Sequence, residues 1–421
     1  MSFTSRTPSG GWRANWRDPS GKQKAKTFKT KREALAFLAE MESSMNRGQY
    51  VSPHAGKTKF GSYALEWLAS RSTEKTTAAG ESSVMRNHVV PQWGDTPMSK
   101  ITHSAVQAWV TSLGTRLGYT MVSECLRLTS SVLRAAVRDQ IIGANPCEGV
   151  KVPKRRRTDS DDIRVLAQSD LPGLLSEVPE RYRALVGVAV GAGLRWGECL
   201  GLRLDAIDLD PQRPTLRVSR TLIEISGHVS AKPYPKSRAG RRTVPLPPFV
   251  VTLLTEHLTQ FPPSPSGDLF TNRDGGPLWR STFRSRIWRP ALVRAGLLGK
   301  VVQVDETTFR AEWPTGDGLE QHAEFSTHDE AVSQVARHAA GGLRFHDLRH
   351  TYATWLVSSG VPINDVASVM GHEQTSTTLN RYTHRSDRRD SNVRGALADF
   401  SLTEDTEESP EDTEGPSEEE P

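Results

Sequence analysis

The sequence predicts a multidomain chain, mainly α-helical with small β-sheets (α+β). Three observations predict it. Apolar residues fall at helical spacing across residues 58–150. Near the N-terminus apolar and basic residues alternate as strands do, ahead of one helix signal. From 161 to 400 helix and strand patterns are mixed. A length of 421 residues suits two to four domains.

Residues 1–50 form the first segment. Trp12-Arg13-Ala14-Asn15-Trp16-Arg17 reads as a strand, Asp18-Pro19-Ser20-Gly21 as a turn, and residues 22–28 as a second strand. Thr30-Lys31-Arg32-Glu33 is a capping box that opens a helix through Met45. A small sheet packed on one helix follows. Residues 58–150 read as a compact helical domain: Phe60, Tyr63, Ala64, Trp67 and Leu68 share one helical spacing, as do Val106, Trp109 and Val110. Residues 151–160 are a basic linker with Lys154, Arg155, Arg156 and Arg157 at its centre. Residues 161–400 make a mixed α/β domain, with helices at 169–175 and 182–190 and a strand pair at 216–223 and 241–246.

Inside this third domain a pattern recurs. Phe309-Arg310-Ala311-Glu312-Trp313 echoes Trp12-Arg13-Ala14-Asn15-Trp16, and Thr327-His328-Asp329-Glu330-Ala331 echoes the box at Thr30. Every match sits at one constant offset of 297, Gly318 against Gly21 included. The spacing predicts a second sheet-and-helix unit inserted at 300–338. The copies differ in charge: residues 12–33 carry eight basic and two acidic side chains, residues 309–330 one and six. The first suits DNA. The second is expected to pack against protein, a neighbouring subunit or a basic domain.

The net charge of +5 conceals a strongly basic body, because residues 401–421 form an acidic tail with ten carboxylates and no cations. Such a tail reads as disordered, either solubilising or placed over the basic surface as a DNA mimic. The basic body suits a polyanionic partner, double-stranded DNA. Arg13, Arg17, Lys22, Lys24 and Lys26, with the linker cations Lys154 to Arg157, are the candidate DNA contacts. The longest apolar run, 184–194, is too short to cross a bilayer, and no signal-type stretch opens the chain, so a cytoplasmic location is expected. Three widely spaced cysteines give neither a disulfide framework nor zinc-ligand spacing.

The chemistry is carried by three clusters: Gly193-Leu194-Arg195-Trp196-Gly197-Glu198, His346-Asp347-Leu348-Arg349-His350-Thr351, and Gly371-His372 followed ten positions later by Tyr382. Breaking a phosphodiester requires compensating charge on its oxygens, and the arginine fork suits two oxygens at once. Arg195 and Arg349 are the candidates. His346 and Arg349, three apart, share a helix face. A tyrosine hydroxyl, with a pKa of about 10, needs arginines that favour the phenolate and a histidine to take its proton. Lys236, at a hairpin turn before a strand, is placed to protonate the leaving 5′ oxygen. Lys232 and Arg238 stand nearby. Tyr352 lies on a presumed helix with Trp355 and Leu356, where core packing is expected.

These boxes resemble those of the tyrosine recombinases, the phage and mobile-element integrases in particular, over residues 60 to 390. The resemblance implies an arm-type DNA-binding domain with a three-stranded sheet, a helical core-binding (SAM-like) domain and a catalytic domain. It implies that Arg195, Arg349 and His372 contact the scissile phosphate. Lys236 would be the general acid, His346 would assist proton transfer, and Tyr382 would be the nucleophile. The function so implied is site-specific recombination through a 3′-phosphotyrosine, with no cofactor. A homotetramer on DNA, an accessory directionality factor and a place in the host bacterial nucleoid are implied with it. Two other readings stay open: a type IB-like topoisomerase and a non-catalytic DNA-bridging protein of the same fold.

Overall fold

The computed structural model describes residues 2–18, 21–46, 55–153, 164–225, 227–232 and 240–372. The chain divides into two units, Met1–Asp159 and Ser160–Pro421.

The smaller unit opens with an antiparallel sheet, β1 (Phe3–Arg6), β2 (Trp12–Arg17) and β3 (Gln23–Phe28), followed by α1 (Lys31–Asn46). Strand alternation puts Ala14 and Trp16 on one face, where Ala34 and Leu38 of α1 cover them. The capping box forms as read: the Glu33 N–H donates to Thr30 Oγ1 and the Thr30 N–H to Glu33 Oε2, both at 3.3 Å. The helical part comprises α2 (Phe60–Ala69), α3 (Lys75–Val84), α4 (Val90–Trp93), α5 (His103–Gly114) and α6 (Tyr119–Arg138). In α6 Val122, Cys125, Leu128, Val132 and Leu133 recur at three- and four-residue steps and face the core that Phe60 and Trp109 share. A π turn, Met85–Val89, joins α3 to α4 just before Pro91. Proline lacks an N–H and clashes with the carbonyl four residues back, and the wider turn relieves both.

The larger unit runs α7 (Leu171–Glu177), α8 (Glu180–Gly191), α9 (Trp196–Leu200), β4 (Ile207–Asp208), β5 (Thr215–Val218), β6 (Thr221–Ile225), β7 (His228–Lys232), β8 (Arg242–Pro245), α10 (Pro248–Gln260), α11 (Arg280–Phe283), α12 (Arg289–Arg294), β9 (Lys300–Gln303), β10 (Phe309–Pro314), β11 (Glu320–Phe325), α13 (His328–His338), α14 (Phe345–Ser358) and α15 (Ile363–Met370). The expected strand pair differs in detail. Residues 216–223 are two strands: β5 pairs with β8 in a β4-β5-β8 sheet, while β6 leaves to form a hairpin with β7. The departure follows from α9. Gly197 and Gly201 present no side chain, so the β6 segment lies directly on them through the Leu222 and Arg220 carbonyls. Another π turn, Arg284–Trp288, precedes Pro290 as the first precedes Pro91.

The interval 300–338 repeats the N-terminal unit residue for residue. Phe309 pairs with Phe325 as Trp12 pairs with Phe28, and Lys300 with Glu312 as Phe3 pairs with Asn15. Buried Ala311, Trp313, Ala331 and Val335 stand where Ala14, Trp16, Ala34 and Leu38 stand. Thr327 caps α13 by accepting the Glu330 N–H at 3.2 Å. The protein that this unit packs against is the chain itself: Val332, Val335 and Ala336 of α13 join the core of the larger unit beside α12. Losing a hydroxyl N-cap costs about 1 kcal/mol. Thr327→Ala is therefore expected to lower the stability of the larger unit by that amount, read from its urea midpoint.

The three cysteines are free and buried, and burial raises each thiol's pKa. No described helix is long and apolar enough to cross a membrane.

Candidate active site

The site is assembled where α8, α9, α14, α15 and β8 converge. Gly193, at φ +64, ends the α8 segment in the left-handed region. The chain then enters α9 with Arg195 as N-cap and Glu198 three residues on. Glu198 Oε2 accepts the Arg195 N–H at 3.0 Å, and Oε1 accepts from the Arg195 guanidinium at 2.7 Å. The second cluster is built alike. Arg344 is the N-cap of α14, and Asp347 accepts its N–H at 2.8 Å and its guanidinium at 2.7 Å. Each box thus reads Arg-x-x-acid, with the carboxylate neutralising the helix start. Trp196, next to Arg195, packs edge-on against Phe345, next to His346, with ring centroids 5.0 Å apart. That contact fixes α9 against α14, so Arg195 and His346 line one cavity of about 570 Å³.

Glu198 is the hub. Its side chain is 4% exposed. Arg242 of β8 donates to it at 2.9 Å, and Arg349 of α14 lies 4.0 Å away. Burial would raise the carboxyl pKa, but the charge and hydrogen bond of Arg242, with Arg195 and Arg349 behind it, hold it down at about 2. Arg242 also donates to the carbonyls of Val369 (2.6 Å) and Gly240 (3.3 Å), tying β8 to α15. Arg349, 2% exposed, donates to the carbonyls of Gly193 (2.5 Å) and Met370. Arg195 is the open cation of the set, its side chain 41% exposed. His346 keeps an exposed edge at the cavity yet is ringed by protein, and that partial desolvation, followed by the charges of Arg349 and Arg195, puts its pKa below the usual histidine value. His372 follows Gly371, a left-handed C-cap at φ +62, and its N–H donates to the Ala367 carbonyl at 3.0 Å.

The order of these boxes along the chain has a match. The model of the phage integrase family fits residues 159–315 and 319–389, and that of the phage integrase N-terminal SAM-like domain fits residues 59–114. The chain belongs to the phage integrase family. It is a tyrosine-type recombinase, an enzyme of DNA strand cleavage and rejoining. A phiRv2 prophage chain of Mycobacterium tuberculosis that carries the name integrase is 28% identical over 401 residues, 93% of each chain. The Tn1549 transposon integrase, solved with transposon right end DNA, matches with a TM-score of 0.60 and 18% identity over 81% of this chain and all of that one. A lambda integrase tetramer bound to a Holliday junction matches with a TM-score of 0.50 and 14% identity, covering 90% of this chain and 94% of that one.

In this integrase the structure brings Arg195, His346, Arg349 and His372 into one neighbourhood. Tyr382, Lys236, Lys154, Arg155, Arg156 and Arg157 lie outside the described residues. The cations of the N-terminal sheet divide between two faces. Arg13 and Arg17 stand on the face away from α1, whereas Lys26 lies over the Phe37 ring of α1 and Lys24 reaches Asp18 at 3.9 Å. Lys22 sits in the turn before β3. Tyr352 is a buried core residue packed with Val366 and Met370. Motif spacing assigns no role to Glu198, Asp347 or Arg242, which the fold joins to the site by hydrogen bonds. The signal for the first two was the acid three residues after an N-cap arginine. A Cβ on Gly193 would run into the Tyr352 ring at a backbone angle that side chains resist. Gly193→Ala is therefore expected to cost about 3 kcal/mol of stability. Gly360→Ala, at φ +84 in open space, is the control and should cost about 1 kcal/mol by thermal or urea unfolding.

Proposed function

We propose that this integrase is a site-specific DNA recombinase that integrates or excises a phage or mobile element, cutting each strand through Tyr382. The observation that supports it best is the Glu198 hub, which gathers three guanidinium groups beside His346. Arg195, the open cation, makes the first contact with the scissile phosphate. Arg349 joins it by exchanging a backbone carbonyl for a phosphate oxygen. His372 binds a further oxygen. The Tyr382 oxygen attacks phosphorus, and its proton passes to a histidine. His346 suits that task, since its lowered pKa keeps it neutral near pH 7. The bond from phosphorus to the 5′ oxygen breaks, and Lys236 supplies the proton that oxygen needs. The 3′-phosphotyrosine keeps the bond energy, and attack by a 5′ hydroxyl reverses the step on a new partner.

Four strands each need a nucleophile, so the working form is a homotetramer on two duplex sites. The tetrameric lambda relative supports this assembly. A directionality factor would bias integration against excision. The experiment uses a duplex nicked beside the cleavage site, where loss of the short 5′ fragment traps the adduct. Mass spectrometry of the digest should find the nucleotide remnant on Tyr382. A remnant on another residue, or none, rejects the assignment. Relaxation of supercoils with no site requirement would favour a topoisomerase instead.

A further inference from the structure

Two copies of one unit, 2–46 and 300–338, expose the same sheet face with opposite charge. In each, the helix covers one side of the sheet. The other side carries Arg13 and Arg17 in the first copy, with neutral Asn15, Gln23 and Thr27 beside them. At the three neutral positions the second copy has Glu312, Glu320 and Glu324, and Pro314 replaces Arg17. Arg310 is retained and pairs with Glu324 at 2.9 Å. The face thereby passes from two positive charges to one net negative, once Lys300 is counted. Asp305 and Asp317 at the strand ends deepen the acidity, and hydrogen bonds from neighbouring threonines and backbone lower their pKa values. A polyanion is repelled by such a surface. Its rim is apolar as well as acidic: Val302, Val304 and Leu319 are 48%, 47% and 63% exposed. Exposed apolar side chains at both ends of a charged sheet face suit a protein partner.

We propose that this acidic face receives the basic open face of the N-terminal unit of a neighbouring copy of the chain. Charge complementarity names the occupant, since Arg13 and Arg17 are the cations on the matching face of a sheet with the same register. The neighbouring copy is the one that the tetrameric assembly proposed above supplies. Three strands about 4.8 Å apart and about 20 Å long give roughly 300 Å². That is well under the approximately 800 Å² per partner of stable complexes. The contact is therefore weak and reinforces an assembly held by other surfaces.

The test uses full-length protein, half of it labelled with 15N, at about 100 μM, where weak contacts are populated. A carbodiimide joins lysines to touching carboxylates. Links from Lys22 or Lys29, at the two ends of β3, to Glu312, Glu320 or Glu324 are expected between light and heavy chains. They should fall about tenfold when salt rises from about 0.05 to about 0.5 M. Sedimentation velocity should show weakened self-association for R13E/R17E and recovery when E312R/E324R is added. Links confined to chains of one label place the contact within a single molecule and overturn the proposal. Absence of links between the two units, or a charge swap that restores nothing, overturns it equally. None of these readouts involves strand cleavage, so the result stands apart from the assignment of Tyr382.

Discussion

Tyr382→Phe is expected to leave duplex binding unchanged and to remove the covalent adduct. The substitution deletes one oxygen, and the remaining ring cannot form an ester with phosphorus. Loss of a sole nucleophile costs at least about 10⁴ in rate, which places the variant below detection in an adduct assay. Binding should persist because the positive charge around the phosphate comes from Arg195 and its neighbours. Gel electrophoresis under denaturing conditions reads the adduct, and fluorescence anisotropy of the same nicked duplex reads binding. A surviving adduct would move the nucleophile to another side chain. Loss of both signals would make Tyr382 a structural residue.

Glu198→Gln carries the second large effect. The amide keeps the shape of the side chain and removes the charge that Arg242 and Arg349 share. Two nearly buried guanidinium groups then face each other with no counter-charge, at a cost of about 3 kcal/mol. The pH dependence gives an independent check. The folded-state pKa of Glu198 is about 2, below the unfolded value of 4.5. Its contribution is therefore present above pH 4.5 and is lost as pH falls toward 2. The depression corresponds to about 3 kcal/mol. Urea midpoints of wild type should drop across that window, and those of the variant should drop less. Cleavage at neutral pH should fall too, since Arg195 loses the partner that orients it. A variant as stable as wild type would show that the hub is not held by charge.

Much of the fold could be read directly because its signals are local. The Thr30 box, the α6 stripe and the offset of 297 each depend on residues close in sequence or on a constant spacing. The β6–β7 hairpin was missed for the opposite reason. It leaves the sheet because two distant glycines on α9 make room for its backbone, and spacing along one strand does not reveal that. The site shows the same division. Arg195, His346, Arg349 and His372 stand in motifs, so residue type and order were enough to nominate them. Arg242 acts through Glu198 and the Val369 carbonyl, 127 residues away in sequence, and such a bridge exists only after folding.

Arg289 shows what the inserted unit has become. The two ends of the 300–338 unit lie together, since Gly342 abuts Leu298. Arg289 of the host, 6% exposed, now donates to the carbonyls of Ala336 and Ala339, at the far end of the acquired helix, and to that of Gly341. Excising 300–338 would remove the Ala336 carbonyl and the helix that holds Ala339 in place, leaving this buried cation short of acceptors. The buried arginine makes the unit a structural part of the domain that carries the site, so its removal is expected to destabilise that whole domain.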